Sequence, residues 1–316
     1  MKKFTSVKDI DSVDQWVKKA LEIKSDPYKN NALGRNKVLG LLFFNPSLRT
    51  RMSMQKAAYN LGMQVMVINL TKDSWQLEME DGTVMNAGSQ EHIREAAAVV
   101  SQYCDIIGLR TFPTLTDREA DYADDILHKF IRFSSVPFIS LESAILHPLQ
   151  SYADAMTIAE HQQKPKPKVV LSWAPHPRAL PQAVANSFVE WMQATEVELV
   201  VTHPTGFELA PEIIKGSTVC YDQQAAFEGA DFVYAKNWSS YNDYGKIGKS
   251  LDHWMIDQAK MALTDQAKFM HCLPVRRNVV VADEVIDADY SLVIEQANNR
   301  TYAAQAVLTQ MLSHEV

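Results

Sequence analysis

The 316-residue chain exceeds the usual size of one hydrophobic core, so two domains are expected. Hydrophobic residues at 47% and charged residues at 22% are ordinary globular values, and 11 Gly with 13 Pro leave no room for a long low-complexity linker. A net charge of −7 excludes a general nucleic-acid binder, which needs a clustered basic face, so any anion site must be local. The start Met1-Lys2-Lys3-Phe4 leads into no apolar run, and no stretch reaches the roughly 18 apolar residues of a membrane span. Neither export nor membrane insertion is expected, and a cytoplasmic location follows. Cys104, Cys220 and Cys272 are odd in number and lack CxxC spacing, which fits reduced thiols better than disulfides or a zinc site.

In chain order, short apolar runs alternate with segments of helical period, the pattern of repeated βαβ units around parallel sheets. Strands are predicted at Val38 to Phe44, Val65 to Leu70, Asp105 to Leu109 and Pro137 to Leu141, with helices at Met52 to Leu61 and His92 to Tyr103. Pro148 opens a helix through about Glu160, which the Gln162 to Pro167 stretch breaks. A second series follows, with strands at Val169 to Trp173, Val197 to Thr202, Thr218 to Tyr221, Phe232 to Ala235 and Phe269 to Cys272, and a closing helix from Arg300 to Leu312. Two doubly wound α/β domains are expected, residues 1–148 joined by a C-terminal helix 300–316, and residues 149–299, with ligands in the crevice between them. Two long polar stretches, Lys72 to Glu91 and Asn237 to Leu251, lack periodicity and read as functional loops.

The most informative segment is Phe43-Phe44-Asn45-Pro46-Ser47-Leu48-Arg49-Thr50-Arg51, which ends a strand and opens a helix. Free N–H groups at a helix start, with two hydroxyls and two guanidinium groups, form a phosphate cradle that needs no glycine-rich loop. An ordinary N-cap with surface arginines fits the spacing equally well. Other patterns carry less. Gly248-Lys249-Ser250 ends like a P-loop but has Asp243 where the first glycine belongs, and no HExxH, GxSxG or GxGxxG occurs. Asn237-Trp238-Ser239 matches a glycosylation acceptor without a secretory signal to bring it into use.

Ser47-Leu48-Arg49-Thr50-Arg51 resembles the carbamoyl-phosphate signature of the aspartate and ornithine carbamoyltransferase family. Arg110 closing a strand, His147-Pro148-Leu149-Gln150 opening a helix and His271-Cys272-Leu273-Pro274 after a late strand resemble further family elements, in the same order. The resemblance implies that Ser47, Leu48, Arg49 and Thr50 hold the phosphate of carbamoyl phosphate, while Arg110, His147 and Gln150 meet the carbamoyl group. Arg110, His147 and Thr50 are then the oxyanion-stabilising set. Cys272 and Leu273 present carbonyls and a thiol to the incoming amine, and Arg300 reaches carbamoyl phosphate from the start of the last helix. Read without the family, a buried core histidine is the commoner reading of His147 and a small core residue that of Cys272, while a solvated helix-end charge fits Arg300 nearly as well as a ligand contact. No metal or organic cofactor is called for.

Ornithine carbamoyltransferases resemble one another in an Asp followed by a Ser-Met-Gly element. Here the region reads Tyr234-Ala235-Lys236-Asn237-Trp238, without that grip on a free amino acid. The Lys236 segment, Trp173-Ala174-Pro175-His176-Pro177, Glu142 and Arg276-Arg277-Asn278 are instead similar to the N-acylornithine branch. An acylated α-nitrogen is neutral and has no use for an aspartate, whereas the α-carboxylate still needs a cation. The branch implies that Glu142 and Lys236 contact the amino-acid substrate; Asn186 matches a substrate-binding asparagine of the wider family. It also implies that the loop holding Trp75 crosses into a neighbouring subunit, giving a homotrimer with Trp75 covering the substrate in trans.

The expected reaction is carbamoyl transfer to the δ-amine of an N-acylated L-ornithine in arginine biosynthesis, with N-acetyl-L-ornithine, free ornithine and a catalytically silent ligand-binding paralogue as alternatives. Succinyl is favoured over acetyl for three reasons. Arg178, just after the substrate-binding His176 that the branch implies, and Arg276 or Arg277 are candidate cations for a second carboxylate, although Arg178 fits a solvated surface position equally well. Acetyl-type members resemble a glutamate and succinyl-type members a proline where this chain has neutral Gln90, which would not repel that carboxylate. Val280 stands where acetyl-type members resemble a lysine.

Overall fold

A computed structural model of the chain describes residues 1–313. Residues 314–316, assigned above to the C-terminal helix, lie outside the described residues. Twelve strands are present among them: β1 (Lys3–Phe4), β2 (Val38–Phe43), β3 (Gln64–Asn69), β4 (Leu77–Glu78), β5 (Glu91–His92), β6 (Ile106–Arg110), β7 (Phe138–Glu142), β8 (Lys168–Trp173), β9 (Glu198–Thr202), β10 (Thr218–Cys220), β11 (Phe232–Lys236) and β12 (Lys268–Met270).

Ten of them form two parallel five-stranded sheets, ordered β1-β7-β6-β2-β3 and β10-β9-β8-β11-β12, while β4 and β5 pair with each other. The expected α/β architecture with two parallel sheets is observed. Central strands read as continuous apolar runs because both faces are covered. Leu39, Leu41 and Leu42 of β2, and Val169, Val170 and Leu171 of β8, are all buried. In the first sheet the chain moves from β2 to β3, then reverses across β2 to β6 and β7. In the second it moves from β8 through β9 to β10, then reverses to β11 and β12. Crevices at such reversals, beyond the carboxyl ends of the strands, are the natural ligand sites of this architecture.

Several elements differ from the reading above. The N-terminal strand β1 and helix Val13–Ser25 were not predicted, although Ser12 caps that helix by accepting from the Gln15 N–H at 3.4 Å and Val13, Trp16, Val17 and Ala20 line its buried face. The last helix spans Val293–Leu312, so Arg300 sits in its second turn rather than at its start. Its buried face includes the polar Gln296 and Asn299, which broke the apolar period. Strand β12 stops at Met270, and His271-Cys272-Leu273 leaves the sheet in a turn where Leu273 has φ 53°, so Cys272 is a turn residue and not a strand residue.

The helix Val293–Leu312 returns to pack on Val13–Ser25, Leu48–Asn60 and Pro148–His161. Beside it an aromatic cluster joins the two halves. Phe4 stacks on Trp16 at 6.0 Å and Tyr152 on Trp191 at 5.2 Å, with Trp16 and Tyr152 edge-on at 5.9 Å. Trp191 is fully buried and its indole N–H has no acceptor among the described residues. Trp191→Ala is expected to cost about 3–5 kcal/mol by chemical denaturation. Trp191→Phe should cost less, because it keeps most of the packing and removes an unsatisfied donor.

Candidate active site

The carboxyl ends of β2, β6, β7, β8, β11 and β12 converge on a cavity of about 410 Å³ between the two sheets. Ser47, Leu48, Arg49, Thr50, Arg110, Glu142, His147, Gln150, His176, Lys236, Cys272, Leu273 and Arg300, all singled out from the sequence, line it. Its first wall is the start of helix Leu48–Asn60. Ser47 is the N-cap, with extended backbone and a hydroxyl oxygen accepting the Thr50 N–H at 3.3 Å. Arg51 N–H turns to the Ser47 carbonyl at 3.3 Å. The Leu48 and Arg49 N–H groups, at the first two helical positions, have no intrahelical partner and point out of the helix end.

Thr50 is the meeting point of the cations. Arg300 Nη2 donates to its Oγ1 at 2.7 Å across 250 residues of sequence, and Arg110 Nη1 lies 3.5 Å from the same oxygen. Arg110 Nη1 also pairs with Glu142 Oε2 at 2.6 Å, both groups being nearly buried. Four cations, Arg49, Arg110, Lys236 and Arg300, thus face one carboxylate, Glu142. Burial pulls the Arg300 guanidinium down to about 10, with neighbouring Arg49 and Arg110 adding to the shift, and Arg49 is lowered by burial first and Arg110 second. Both remain protonated at neutral pH, so the cavity carries uncompensated positive charge. Nε of Arg49, Arg110 and Arg300 is buried without a partner among the described residues.

His147 is the N-cap of helix Pro148–His161, with its backbone N–H donating to Ser187 Oγ at 2.8 Å. Burial, then Arg300, Arg110, Lys236 and Arg49, hold its imidazole well below the ordinary histidine range. It is therefore neutral at pH 7, and its 3.6 Å approach to Glu142 is a polar contact rather than an ion pair. A neutral imidazole beside an arginine can donate a hydrogen bond to a carbonyl oxygen without adding charge.

On the second wall, Lys236 ends β11 and its ammonium donates to the Asn237 carbonyl at 2.9 Å. His176 follows β8 and is lowered by burial and by the nearby Lys236, Arg276 and Arg178, although the Arg178 backbone raises it. The turn after β12 is held by His271, whose Nδ1 accepts the Leu273 N–H at 2.9 Å. Burial pushes the Cys272 thiol up, with Lys236 opposing, which keeps it a thiol and not a nucleophile.

The remaining predicted residues lie elsewhere. Asn186 is fully buried behind the wall and donates to the Ile145 carbonyl at 3.1 Å, which steadies the approach to His147. The residue of its helix that lines the cavity is Val184, two positions away and so on a different face. Arg277 is exposed and clasped by Asp283 at 2.8 Å and Asp287 at 2.5 Å. Arg178 and Arg276 are exposed and do not line the cavity, although both act electrostatically on His176. Trp75 and Gln90 sit on the exposed loop outside it, where Trp75 Nε1 donates to Glu91 Oε2 at 2.8 Å and the Gln90 N–H to the Gln76 carbonyl at 3.1 Å. Sequence reading missed Phe112, Leu180, Pro181 and Val184 in the lining. Phe112 carried a signal, since it follows Arg110 by two residues, and its ring lies 5.4 Å from the Arg110 guanidinium carbon.

Comparison with known proteins gives a concordant result. The chain is 51% identical over 314 residues to the N-succinylornithine carbamoyltransferase of Bacteroides thetaiotaomicron, covering 99% of both chains. It is 37% identical to the N-acetylornithine carbamoyltransferase of Xylella fastidiosa, covering 93% of this chain and 94% of that one. Among solved structures it matches an N-acetyl-L-ornithine transcarbamylase, with one glutamate replaced by alanine, complexed with carbamyl phosphate and N-succinyl-L-norvaline. That match has a TM-score of 0.92 at 33% identity over 98% of this chain and 100% of that one. Residues 2–160 match the carbamoyl-P binding domain model of the aspartate/ornithine carbamoyltransferases and residues 181–311 their Asp/Orn binding domain model. The chain belongs to the aspartate/ornithine carbamoyltransferase family.

Proposed function

We propose that this carbamoyltransferase moves the carbamoyl group of carbamoyl phosphate onto the δ-amine of N-succinyl-L-ornithine, giving N-succinylcitrulline and phosphate in arginine biosynthesis. The observation that carries the transfer chemistry is the excess of four buried or half-buried cations over one carboxylate around a helix start. A doubly charged acyl phosphate bound there neutralises a charge the fold otherwise leaves unbalanced. Ser47, Leu48, Arg49 and Thr50 take the phosphate with Arg300. Arg110, His147 and Thr50 face the carbamoyl oxygen, and Gln150 its amino group.

The amine lone pair attacks the carbamoyl carbon and pushes negative charge onto the carbonyl oxygen, which Arg110 and neutral His147 stabilise. The oxyanion then collapses, the carbon–oxygen bond to phosphate breaks, and phosphate leaves with the electron pair against the cations that held it. The amine proton passes to departing phosphate or to water, since no side chain in the cavity is placed as an obvious base. Cys272 and Leu273 orient the amine through the turn they occupy. Glu142 and Lys236 hold the amino-acid portion.

The acyl assignment rests on the similarity to N-succinylornithine carbamoyltransferases, on neutral Gln90 and on apolar Val280. Arg178 and Arg276, beside His176, are the cations proposed for the second carboxylate; Arg277 remains with Asp283 and Asp287. Domain roles follow, with residues 1–148 and the C-terminal helix binding carbamoyl phosphate and residues 149–299 binding the acylornithine. Trp75 and Gln90, outside their own chain's cavity, act in a neighbouring subunit of a cytoplasmic homotrimer.

Arg110→Gln should lower kcat by about 10²-fold or more, the usual effect of losing an oxyanion donor. It should also reduce stability, because Glu142 is then buried without its 2.6 Å partner. The Glu142→Gln/Arg110→Gln double variant should recover the stability and not the rate. For the acyl group, side-by-side kinetics at saturating carbamoyl phosphate should give the higher kcat/KM with N-succinyl-L-ornithine. A preference for N-acetyl-L-ornithine would overturn the acyl assignment and leave the transferase reading standing.

A further inference from the structure

The carbamoyl amino group only donates, so Gln150 must offer it the amide oxygen. A carboxylate absent from the sequence reading holds the amide that way round. Asp154 lies one helical turn after Gln150 in Pro148–His161 and is fully buried. Its Oδ1 accepts from Gln150 Nε2 at 2.8 Å and from Gln296 Nε2 at 2.7 Å. An ionised carboxylate only accepts, so both amides must turn their nitrogens toward it. A flipped Gln150 would set its carbonyl oxygen against a buried carboxylate, a costly arrangement at low dielectric.

Gln150 Oε1 then has no protein donor among the described residues, and it is the end of the amide left for the cavity that Gln150 lines. Gln296 is turned the same way. Its Oε1 accepts the His271 N–H at 2.9 Å, at the head of the turn carrying Cys272 and Leu273. One buried carboxylate thereby orients a side chain on the phosphate side of the cavity and a backbone turn on the amine side. Burial pushes the Asp154 carboxyl up to about 7, while the Gln296 and Gln150 amides, then Tyr234 and Arg300, pull it back. Mildly alkaline pH favours its ionised form.

We propose that Asp154 is a positioning residue that fixes Gln150 oxygen-inward and so makes the site demand an N–H group on the acyl carbon of the donor substrate. The inference rests on Gln150 facing the carbamoyl amino group. Its consequence is selection of carbamoyl phosphate over acetyl phosphate, a near-isostere with a methyl group where the amino group belongs. An acceptor held against a methyl group goes unpaired, and unpaired buried polar groups are what let a site reject an analogue lacking the matching hydrogen.

The test uses the full-length protein at mildly alkaline pH and measures the ratio of the acetyl-phosphate inhibition constant to the carbamoyl-phosphate KM. Asp154→Leu, checked for folding by circular dichroism, should lower that ratio about tenfold or more, because the freed Gln150 amide can turn. Asp154→Asn keeps one oxygen able to accept from both amides and should hold the ratio within about threefold. A general packing defect would lower stability and kcat without moving the ratio. Should Asp154→Leu not fold, Asp154→Ser, too short to reach both amides, gives the same reading. A folded Asp154→Leu or Asp154→Ser protein with the wild-type ratio, beside a Gln150→Leu protein that loses it, overturns the role of Asp154 alone. A Gln150→Leu protein that keeps the ratio removes Gln150 from the carbamoyl group, and this inference with it.

Discussion

The constraint on which the rest of the structure depends is the crowding of like charge at the strand ends. Arg49, Arg110, Arg300 and Lys236 are drawn from four separated stretches of chain into one partly desolvated cavity with a single carboxylate among them. Coulomb repulsion between cations grows as water is excluded, so the arrangement holds only because the elements carrying them are fixed by packing elsewhere. The two parallel sheets supply most of that rigidity. The helix Val293–Leu312 supplies the rest, inserting Arg300 beside Thr50 while its apolar face packs on three other helices. Energy stored in this way is returned when an anion binds, which makes the same feature both a cost to the empty fold and the source of affinity for substrate.

Much of this was legible in the sequence, and the pattern of success follows physical lines. Strands buried on both faces announce themselves as apolar runs, and β2, β6, β7, β8 and β11 were located within one or two residues. Residues at strand ends gather in one cavity, because a parallel α/β sheet sends all of its carboxyl ends the same way. Motifs in contiguous sequence, Ser47 to Arg51 and His147 to Gln150, kept their expected neighbours. The helix Val13–Ser25 also carries a Ser12 cap and an amphipathic period in its local sequence.

What escaped the sequence depends on rotation and pairing rather than on element type. Asn186 and Val184 lie two residues apart on one helix, and only the packed structure says which of them faces the cavity. Arg277 is held by Asp283 and Asp287, a pairing that its own local sequence does not record. Asp154 was invisible for a related reason. An aspartate in a helix ordinarily reads as solvent-facing, and nothing local records that Gln150 and Gln296, 146 residues apart, both aim their amides at it. Arg300 was identified by resemblance and misplaced within its helix, since buried Gln296 and Asn299 disguise the preceding turn as loop.

The central claim, that the clustered cations form a built site for an acyl phosphate, is tested most directly by calorimetric titration of carbamoyl phosphate into the wild-type protein and Arg300→Gln. The account predicts one saturable site per chain, binding that weakens steeply with added salt, and a loss of about tenfold or more in affinity in the variant. Absence of saturable binding, or unchanged affinity in a folded Arg300→Gln protein, would contradict it.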